Sequence, residues 1–304
     1  MTATTSTSWL SGRYISDGGL ETGLIYDHGV DLPEFAAFPL LDDASGREVL
    51  RAYYDSYAAV ARRAGTGLTL ESPTWRANPD WGAKLGYDRA ALDRVNRVAV
   101  EFLHELRDSY SDIHDVRIIG AIGPRGDGYV AGERVDPAEA ADYHRGQVEA
   151  FAAAGADAVG AYTLTGTEEG IGIARAGREA EITVLIGFTV ETDGRLPDGT
   201  PLAEAVTRVD NDATPAGFII NCAHPTHIAP GFDEGEWLSR IVKLSPNAST
   251  LTHAELDEAT ELDAGDLDLL STSYDELTKQ LPNLAVMGGC CGTGPEHIAV
   301  LVGV

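Results

Sequence analysis

The chain has 304 residues, 43% of them hydrophobic, which is enough for one large globular domain or two small ones. Its 48 acidic residues outnumber its 22 lysines and arginines. The formal net charge of −26 argues against nucleic acid as a partner, because nucleic-acid binding depends on Lys and Arg contacts with phosphates. No run approaches the roughly 20 apolar residues of a membrane span, and the polar segment 1–8 lacks the apolar stretch of a signal peptide.

The chain ends and the composition support further expectations about organisation and location. Residues 1–10 are predicted to form a flexible N-terminal tail, and residues 11–304 a single domain. Three cysteines without an export signal are typical of a protein of the reducing cytoplasm, so we expect a cytoplasmic location and no membrane partner. The acidic surface indicates either adaptation to a salt-rich cytoplasm or a compositional bias of the lineage.

Short apolar runs alternate with helical patterns along the whole chain. Helical spacing of apolar residues predicts helices over 48–64, 88–106 and 137–154, the last with Pro137 at its first position and Gly155 as its C-cap. The predicted strands are 14–17, 67–71, 116–122, 156–162, 183–190, 217–221, 241–244 and 284–287. Eight such strands predict a single (β/α)8 barrel, and the absence of Gly-x-Gly-x-x-Gly after the first strand argues against a doubly wound sheet.

Polar residues follow several predicted strands at the end where active sites lie in such barrels. The residues concerned are Asp17 and Gly18 after the first strand, Thr74 after the second, Asn221 and Cys222 after the sixth, and Cys290 and Cys291 after the eighth. Because these strand ends meet at one mouth of the barrel, we expect the three cysteines to converge there although they are far apart in the chain.

The three cysteines are predicted to bind a metal ion rather than to form a disulfide. Neighbours such as Cys290 and Cys291 are poor disulfide partners, and both can reach one ion only by leaving the regular strand, which the flanking glycines permit. Three thiolates leave one position open on tetrahedral zinc, as in catalytic zinc sites, whereas no fourth cysteine exists for an iron–sulfur cluster. His224 and His227 are further candidate ligands. For His224 we favour instead a plain loop histidine, or a side chain that contacts a ligand residue or the substrate without binding the metal.

Five segments of the chain resemble the homocysteine S-methyltransferase family. They are Asp17-Gly18-Gly19-Leu20-Glu21-Thr22, Gly120-Ala121-Ile122-Gly123-Pro124, Phe188-Thr189-Val190, Asn221-Cys222 and Gly288-Gly289-Cys290-Cys291-Gly292-Thr293. The resemblance covers nearly the whole chain in the same order. It implies a (β/α)8 barrel in which Cys222, Cys290 and Cys291 bind zinc and the homocysteine thiolate takes the open position. It also implies transfer of a methyl group from a sulfonium or quaternary ammonium donor, giving methionine.

One position departs from the family pattern and bears on the acceptor. Where the family commonly has a glutamate that holds the amino group of homocysteine, this chain has Tyr162. Asp17 remains for the ammonium group, and Thr74 matches a family position near the amino-acid carboxylate. Gly18, Tyr162 and Asn221 complete the expected substrate contacts. The partners implied are a small-molecule thiol acceptor, homocysteine or another thiol, and a methyl donor.

The same residues are also compatible with functions of a different class. A non-catalytic barrel that binds zinc or a thiol is one of them. A metal-independent lyase or aldolase is the second, and it requires Lys243 as a Schiff-base lysine because no other lysine lies near a strand end. Trp75 and Trp81 are expected either to pack over a methylated cation or to form part of the barrel rim.

Overall fold

The computed structural model describes residues 7–304, and within them eight parallel strands form a closed barrel in sequence order. The strands are β1 (Tyr14–Ile15), β2 (Gly67–Glu71), β3 (Val116–Ile122), β4 (Ala158–Leu164), β5 (Thr183–Phe188), β6 (Gly217–Asn221), β7 (Ile241–Ser245) and β8 (Val286–Met287). Tyr14 pairs with Gly67 on one side and with Val286 on the other, so β1 joins β2 to β8 and closes the barrel. The predicted (β/α)8 architecture is confirmed.

Helices separate most of the strands and cover the outside of the barrel. They are α1 (Leu20–Thr22), α2 (Ala44–Ala64), α3 (Pro79–Lys84), α4 (Arg89–Ser109), α5 (Pro137–Ala154), α6 (Thr167–Glu179), α7 (Leu202–Ala213), α8 (Pro225–Ile228), α9 (His253–Asp257), α10 (Leu267–Thr278) and α11 (Pro295–Val302). Local signals set the bounds of α5, because Asp136 accepts a hydrogen bond from the Ala138 amide and Gly155 adopts the left-handed conformation that ends a helix.

The barrel has an inner core and an outer core. Alternate strand residues such as Ile119, Leu185 and Ile219 fill the interior, whereas their neighbours pack against the helices. Trp9 is buried and meets the ring of Tyr14 edge to face, with centroids 5.5 Å apart. Part of the predicted tail, residues 1–10, is therefore packed, because Thr7–Ser11 form a 3-10 turn that carries Trp9 into the inner core. The rest of that segment, 1–6, lies outside the described residues.

Five predicted strands differ from the observed ones in their bounds, and the change at the end of β4 affects the barrel mouth. The strand predicted over 156–162 runs instead from Ala158 to Leu164, and its register with β5 shifts between Ala161 and Leu164. Thr163 inside this irregularity has a φ of 62°, which is costly for a β-branched residue. The strand predicted over 284–287 is reduced to Val286–Met287, because its neighbour β1 is equally short.

Among residues 7–304, no helix is both long enough and apolar enough to cross a bilayer.

Candidate functional site

The three cysteine sulfurs lie together at the C-terminal mouth of the barrel. Cys222 follows β6, and Cys290 and Cys291 follow β8. The Cys222 Sγ is 2.8 Å from the Cys290 Sγ and 3.8 Å from the Cys291 Sγ, and none of the three forms a disulfide. Cys222 adopts a φ of 59°, a conformation that is costly outside glycine and that turns the chain at the end of β6. The predicted convergence of the cysteines is observed.

The arrangement of the sulfurs fits a soft metal ion. The three ligand atoms lie within 4.8 Å of one another, and the described residues place no histidine or carboxylate in the same group. Thiolates bound to one zinc ion at about 2.3 Å lie about 3.8 Å apart in tetrahedral geometry, which matches the Cys222–Cys291 separation. The shorter Cys222–Cys290 separation has to widen on binding. Hydrogen bonds from the other two thiols lower the pKa of Cys222 well below its ordinary value, while contact with Cys222 raises that of Cys290.

The loop after β7 holds the cysteines in place through their backbone groups. The Cys290 amide donates to the Pro246 carbonyl at 2.8 Å, and the Ala248 amide donates to the Cys291 carbonyl at 3.1 Å. The side-chain amide of Asn247 donates to the Cys222 carbonyl at 3.1 Å. This loop therefore links the two chain segments that carry the sulfurs, and their separation depends on it.

Gly18 packs against the loop that carries Cys290 and Cys291. A Cβ atom at this position would lie 2.2 Å from the Thr293 carbonyl oxygen, far inside van der Waals contact. We therefore expect Gly18→Ala to displace the cysteine loop, to destabilise the fold by about 1–3 kcal/mol and to weaken metal retention. Denaturant unfolding and metal analysis of the purified protein measure both effects.

The control for this substitution is Gly146→Ala in the middle of α5, where no atom lies within 4 Å of an added Cβ. It is expected to leave the metal content unchanged and to stabilise the protein by up to about 1 kcal/mol, because alanine favours helix. Equal behaviour of the two variants would contradict the steric role of Gly18.

Tyr129 and His253 form a stacked pair beside the sulfurs. The Tyr129 hydroxyl lies 3.5 Å from the Cys222 Sγ and 3.6 Å from the Cys291 Sγ, and its ring is stacked on His253 with centroids 4.1 Å apart. Burial and the neighbouring thiols raise the pKa of Tyr129, which keeps its hydroxyl protonated. His253 Nε2 lies 2.8 Å from the Cys222 carbonyl oxygen and Nδ1 lies 3.0 Å from Glu191. The pair shields the sulfurs and fixes the turn at Cys222.

A cavity of about 380 Å³ opens above the cysteines. Its charged and aromatic wall residues are Asp17, Glu21, Tyr26, Phe35, Glu71, Trp75, Arg76, Asp127, Tyr129, Tyr162, Asp257, Glu261 and Asp263, and Asn221 also lines it. Desolvation in the cavity raises the pKa of Glu21 to about 8, and the negative charges at Cys291 and Asp17 act in the same direction. Further negative charge is therefore disfavoured here, whereas a cationic ligand is favoured.

A buried polar cluster lies beneath the floor of the cavity, to which Asp17, Glu71 and Tyr162 contribute. The Lys243 ammonium of β7 contacts the Glu71 carboxylate of β2, and it lies 3.4 Å from the Tyr162 hydroxyl of β4. Asp17 accepts a hydrogen bond from the Tyr53 hydroxyl at 3.2 Å. Burial raises the pKa of Asp17 to about 6 and lowers that of Lys243 to about 7, and the attraction between the two charges opposes both shifts.

The residues predicted to contact substrate divide into two groups. Asp17, Gly18, Tyr162 and Asn221 line the cavity. Thr74 is fully buried and its hydroxyl donates to the Ala121 carbonyl at 2.8 Å, so it positions the loop after β2 from below.

Asn221 supports the turn of β4 near the cysteines. Its side-chain oxygen accepts a hydrogen bond from the Thr163 amide at 3.0 Å, and its nitrogen donates to the Thr163 hydroxyl at 2.8 Å. The same nitrogen lies 4.0 Å from the Cys290 Sγ. Asn221 therefore both stabilises loop backbone and approaches a sulfur.

His224 and Lys243 are both held in roles other than metal ligation and Schiff-base chemistry. His224 lies outside the group of sulfurs, and its Nδ1 caps the short helix α8 through the Thr226 amide. Lys243 is not among the described residues that line the cavity, and its ammonium is held by Glu71, so it lacks the access that a Schiff-base lysine requires.

Sequence reasoning missed several residues of the site. Tyr129 comes from a loop and His253 from the first position of the short helix α9, and neither follows a predicted strand. Glu71 is an inward-facing residue at the end of a correctly predicted strand. The acidic segment that begins at the last residue of α9 also lines the cavity, at Asp257, Glu261 and Asp263. The alternation of side chains along β2 is the one signal from which Glu71 was predictable.

Comparisons with known proteins point to one family. A model described as homocysteine S-methyltransferase matches residues 14–303. Homocysteine S-methyltransferase YbgG of Bacillus subtilis (strain 168) is 27% identical over 231 residues, covering 71% of this chain and 72% of that protein. Homocysteine S-methyltransferase of Escherichia coli (strain K12) is 26% identical over 269 residues, covering 84% of this chain and 82% of that protein.

Solved structures show the same fold. The oxidized form of the homocysteine methyltransferase MmuM from Escherichia coli has a TM-score of 0.75 at 23% identity, with 95% of this chain and 94% of that chain covered. The metallated form of MmuM has a TM-score of 0.73 at 21% identity, with 96% of each chain covered. Both similarities cover at least 95% of this chain.

Proposed function

Because the chain belongs to the homocysteine S-methyltransferase family, we propose that it transfers a methyl group from a sulfonium or quaternary ammonium donor to the thiol of homocysteine, which yields methionine. Three cysteine sulfurs at the floor of a cavity carry this proposal, because they offer a metal ion three protein ligands and leave one position for the acceptor. Zinc is the proposed metal, since it favours thiolate ligands in tetrahedral geometry.

Cys222, Cys290 and Cys291 would hold the metal and would thereby determine where the acceptor sulfur lies. Bound zinc, as a Lewis acid, would keep the acceptor thiol in the thiolate form at neutral pH. Tyr129 and His253 cover the sulfurs and reduce the access of water. Holding acceptor and donor in one cavity of about 380 Å³ supplies the proximity that the transfer requires.

The acceptor amino group is proposed to bind between Asp17 and Glu71. Both carboxylates line the cavity, and Tyr53 and Lys243 hold them in place. Tyr162 supplies no carboxylate on β4, and Glu71 on β2 supplies one from a different strand of the same barrel. The departure at Tyr162 is therefore compatible with an acceptor that carries an ammonium group.

The cavity also favours a cationic methyl donor. Carboxylates such as Asp257 and Glu261 and aromatic rings such as Tyr26 and Phe35 line it. Carboxylates attract a sulfonium or quaternary ammonium group by charge, and aromatic faces attract it through their quadrupole.

The proposal is tested with a panel of donors and homocysteine. The purified protein is expected to contain about one zinc ion per chain and to form methionine with at least one of S-methylmethionine, S-adenosylmethionine and betaine. Methionine is measured by mass spectrometry, and zinc in the same preparation by elemental analysis. A zinc-loaded protein that binds homocysteine but forms no methionine with any donor would support a non-catalytic thiol-binding barrel instead.

A further inference from the structure

Arg76 is an enclosed cation at the wall of the cavity. It follows β2 and is only 8% exposed. Its guanidinium carbon lies 4.3 Å from the ring centroid of Trp75 and 3.5 Å from that of Trp81. The two tryptophans considered for a methylated cation therefore already enclose a cation of this chain, and they hold its planar group in a defined orientation.

Arg76 lacks the carboxylate partner that most arginines of this acidic protein have. The ion pairs found within residues 7–304 include none with Arg76. Its Nη1 donates to the Gly126 carbonyl at 3.2 Å, whereas its buried Nε has no hydrogen-bond partner among the described atoms. Burial lowers its pKa to about 10, so it still carries its charge at neutral pH.

Three carboxylates, those of Glu21, Asp127 and Glu34, lie near enough to act on the charge of Arg76, but within residues 7–304 none of them forms an ion pair with it. The last two are engaged elsewhere. Glu34 pairs with Lys84 at 3.2 Å, and Asp127 accepts hydrogen bonds from the amides of Tyr129 and Val130 at 2.7 and 3.1 Å. A buried guanidinium with an unsatisfied donor is costly unless an anion completes its surroundings. The missing partner is therefore expected from a ligand.

The charge pattern of the cavity indicates which ligand group that is. Arg76 is the only lysine, arginine or histidine among the described residues that line the cavity, and the other charged wall residues are all acidic. A ligand carboxylate is repelled by every charged wall residue except Arg76. The fork of guanidinium donors matches a carboxylate in a bidentate manner.

We propose that Arg76 is the carboxylate-binding residue of this cavity and selects ligands that carry a carboxylate beside their cationic group. The inference rests on the proposed function and deepens it, because it assigns a recognition residue to the same site. Homocysteine and donors such as S-methylmethionine both carry the required group. Each source is therefore tested in a separate arm.

The experiment compares each ligand with its decarboxylated analogue on the zinc-loaded protein. The acceptor pair is homocysteine and 3-aminopropane-1-thiol, and the donor pair is S-methylmethionine and (3-aminopropyl)dimethylsulfonium. Arg76→Gln is expected to weaken binding of the carboxylate-bearing member of one pair about 10- to 100-fold, which is the effect of losing a charged hydrogen bond. The affinity of the variant for the decarboxylated analogue is expected to lie within about twofold of the wild-type value or to be higher. Calorimetry measures all four affinities, and the pair that shows the selective loss identifies the source.

Two further variants separate recognition from a structural role. Arg76→Lys keeps the charge between the tryptophans but loses the fork, so it is expected to retain the unfolding midpoint while losing carboxylate selectivity. Arg63→Gln removes an exposed arginine in the last turn of α2 that is not part of the described cavity wall, so its affinities are expected to match the wild type.

The outcomes that contradict each proposal differ. The role of Arg76 would be overturned if Arg76→Gln lost no affinity for any ligand, or if it lost affinity equally for both members of each pair. A wild-type protein that binds homocysteine but forms no methionine contradicts only the proposed function. A wild-type protein that binds no carboxylate-bearing member of either pair contradicts both.

Discussion

Cys290→Ala is expected to lose zinc and, with it, methyl transfer. The substitution leaves two sulfurs, from Cys222 and Cys291, which are 3.8 Å apart and cannot replace the third ligand. We expect the affinity for zinc to fall by more than about 100-fold. Loss of a residue that only hydrogen-bonds to a metal ligand already lowers metal affinity by about 10- to 100-fold, and loss of a ligand itself costs more. Methyl transfer is expected to fall at least about 30-fold, because a free thiol is only a few per cent ionised at neutral pH. Elemental analysis and the rate of methionine formation measure these effects.

His227→Gln is the matched control for this variant. His227 was considered as a ligand from sequence, but it lies outside the described group of metal-binding atoms. Its substitution is expected to leave the zinc content unchanged. A Cys290→Ala protein that keeps full zinc content and full activity would overturn the metal site, and circular dichroism confirms in each case that the barrel is folded.

Lys243→Met is expected to destabilise the barrel by about 3–5 kcal/mol, because it leaves the Glu71 carboxylate without its partner in the interior. The Lys243 and Glu71 side chains are only 3% and 14% exposed, so the pair lies largely outside bulk solvent. The free energy of unfolding in urea measures the effect.

A double-mutant cycle isolates the pair between Lys243 and Glu71. Lys243→Met combined with Glu71→Gln removes both charges and is expected to recover a large part of the lost stability. The exposed pair of Lys84 and Glu34, whose side chains are 51% and 40% exposed, is the control, and its coupling is expected to be below about 1 kcal/mol. A Lys243→Met protein within about 1 kcal/mol of the wild type would show that the buried pair contributes little.

Most of the barrel was predictable because its signals are local. Buried parallel strands appear as short apolar runs, and three of the eight predicted strands, 67–71, 116–122 and 217–221, have the observed bounds. The errors in the strand bounds lie where contacts with distant segments of the chain determine where a strand ends. The end of β4 extends to Leu164 because Asn221, from another strand, hydrogen-bonds to the irregular turn at Thr163.

The metal-binding residues were predictable for a chemical reason. Cysteine has few roles in a reduced protein, so Cys222, Cys290 and Cys291 point to a soft metal wherever the fold brings them together. The cavity walls were less predictable. Arg76 and Tyr129 are common residue types in loops, and nothing adjacent in the chain indicates that they face the same space.

The amino-acid sequence by itself determined the barrel, the order of its strands and the three cysteines at its mouth, because strand periodicity and thiol chemistry are properties of neighbouring residues. Only the tertiary structure decided which charges meet. Lys243 pairs with Glu71 across 172 positions of the chain, and Arg76 remains without a carboxylate among the described residues in a strongly acidic protein. Such pairings depend on which side chains of distant segments face one another once the barrel has closed, and local sequence does not encode that geometry.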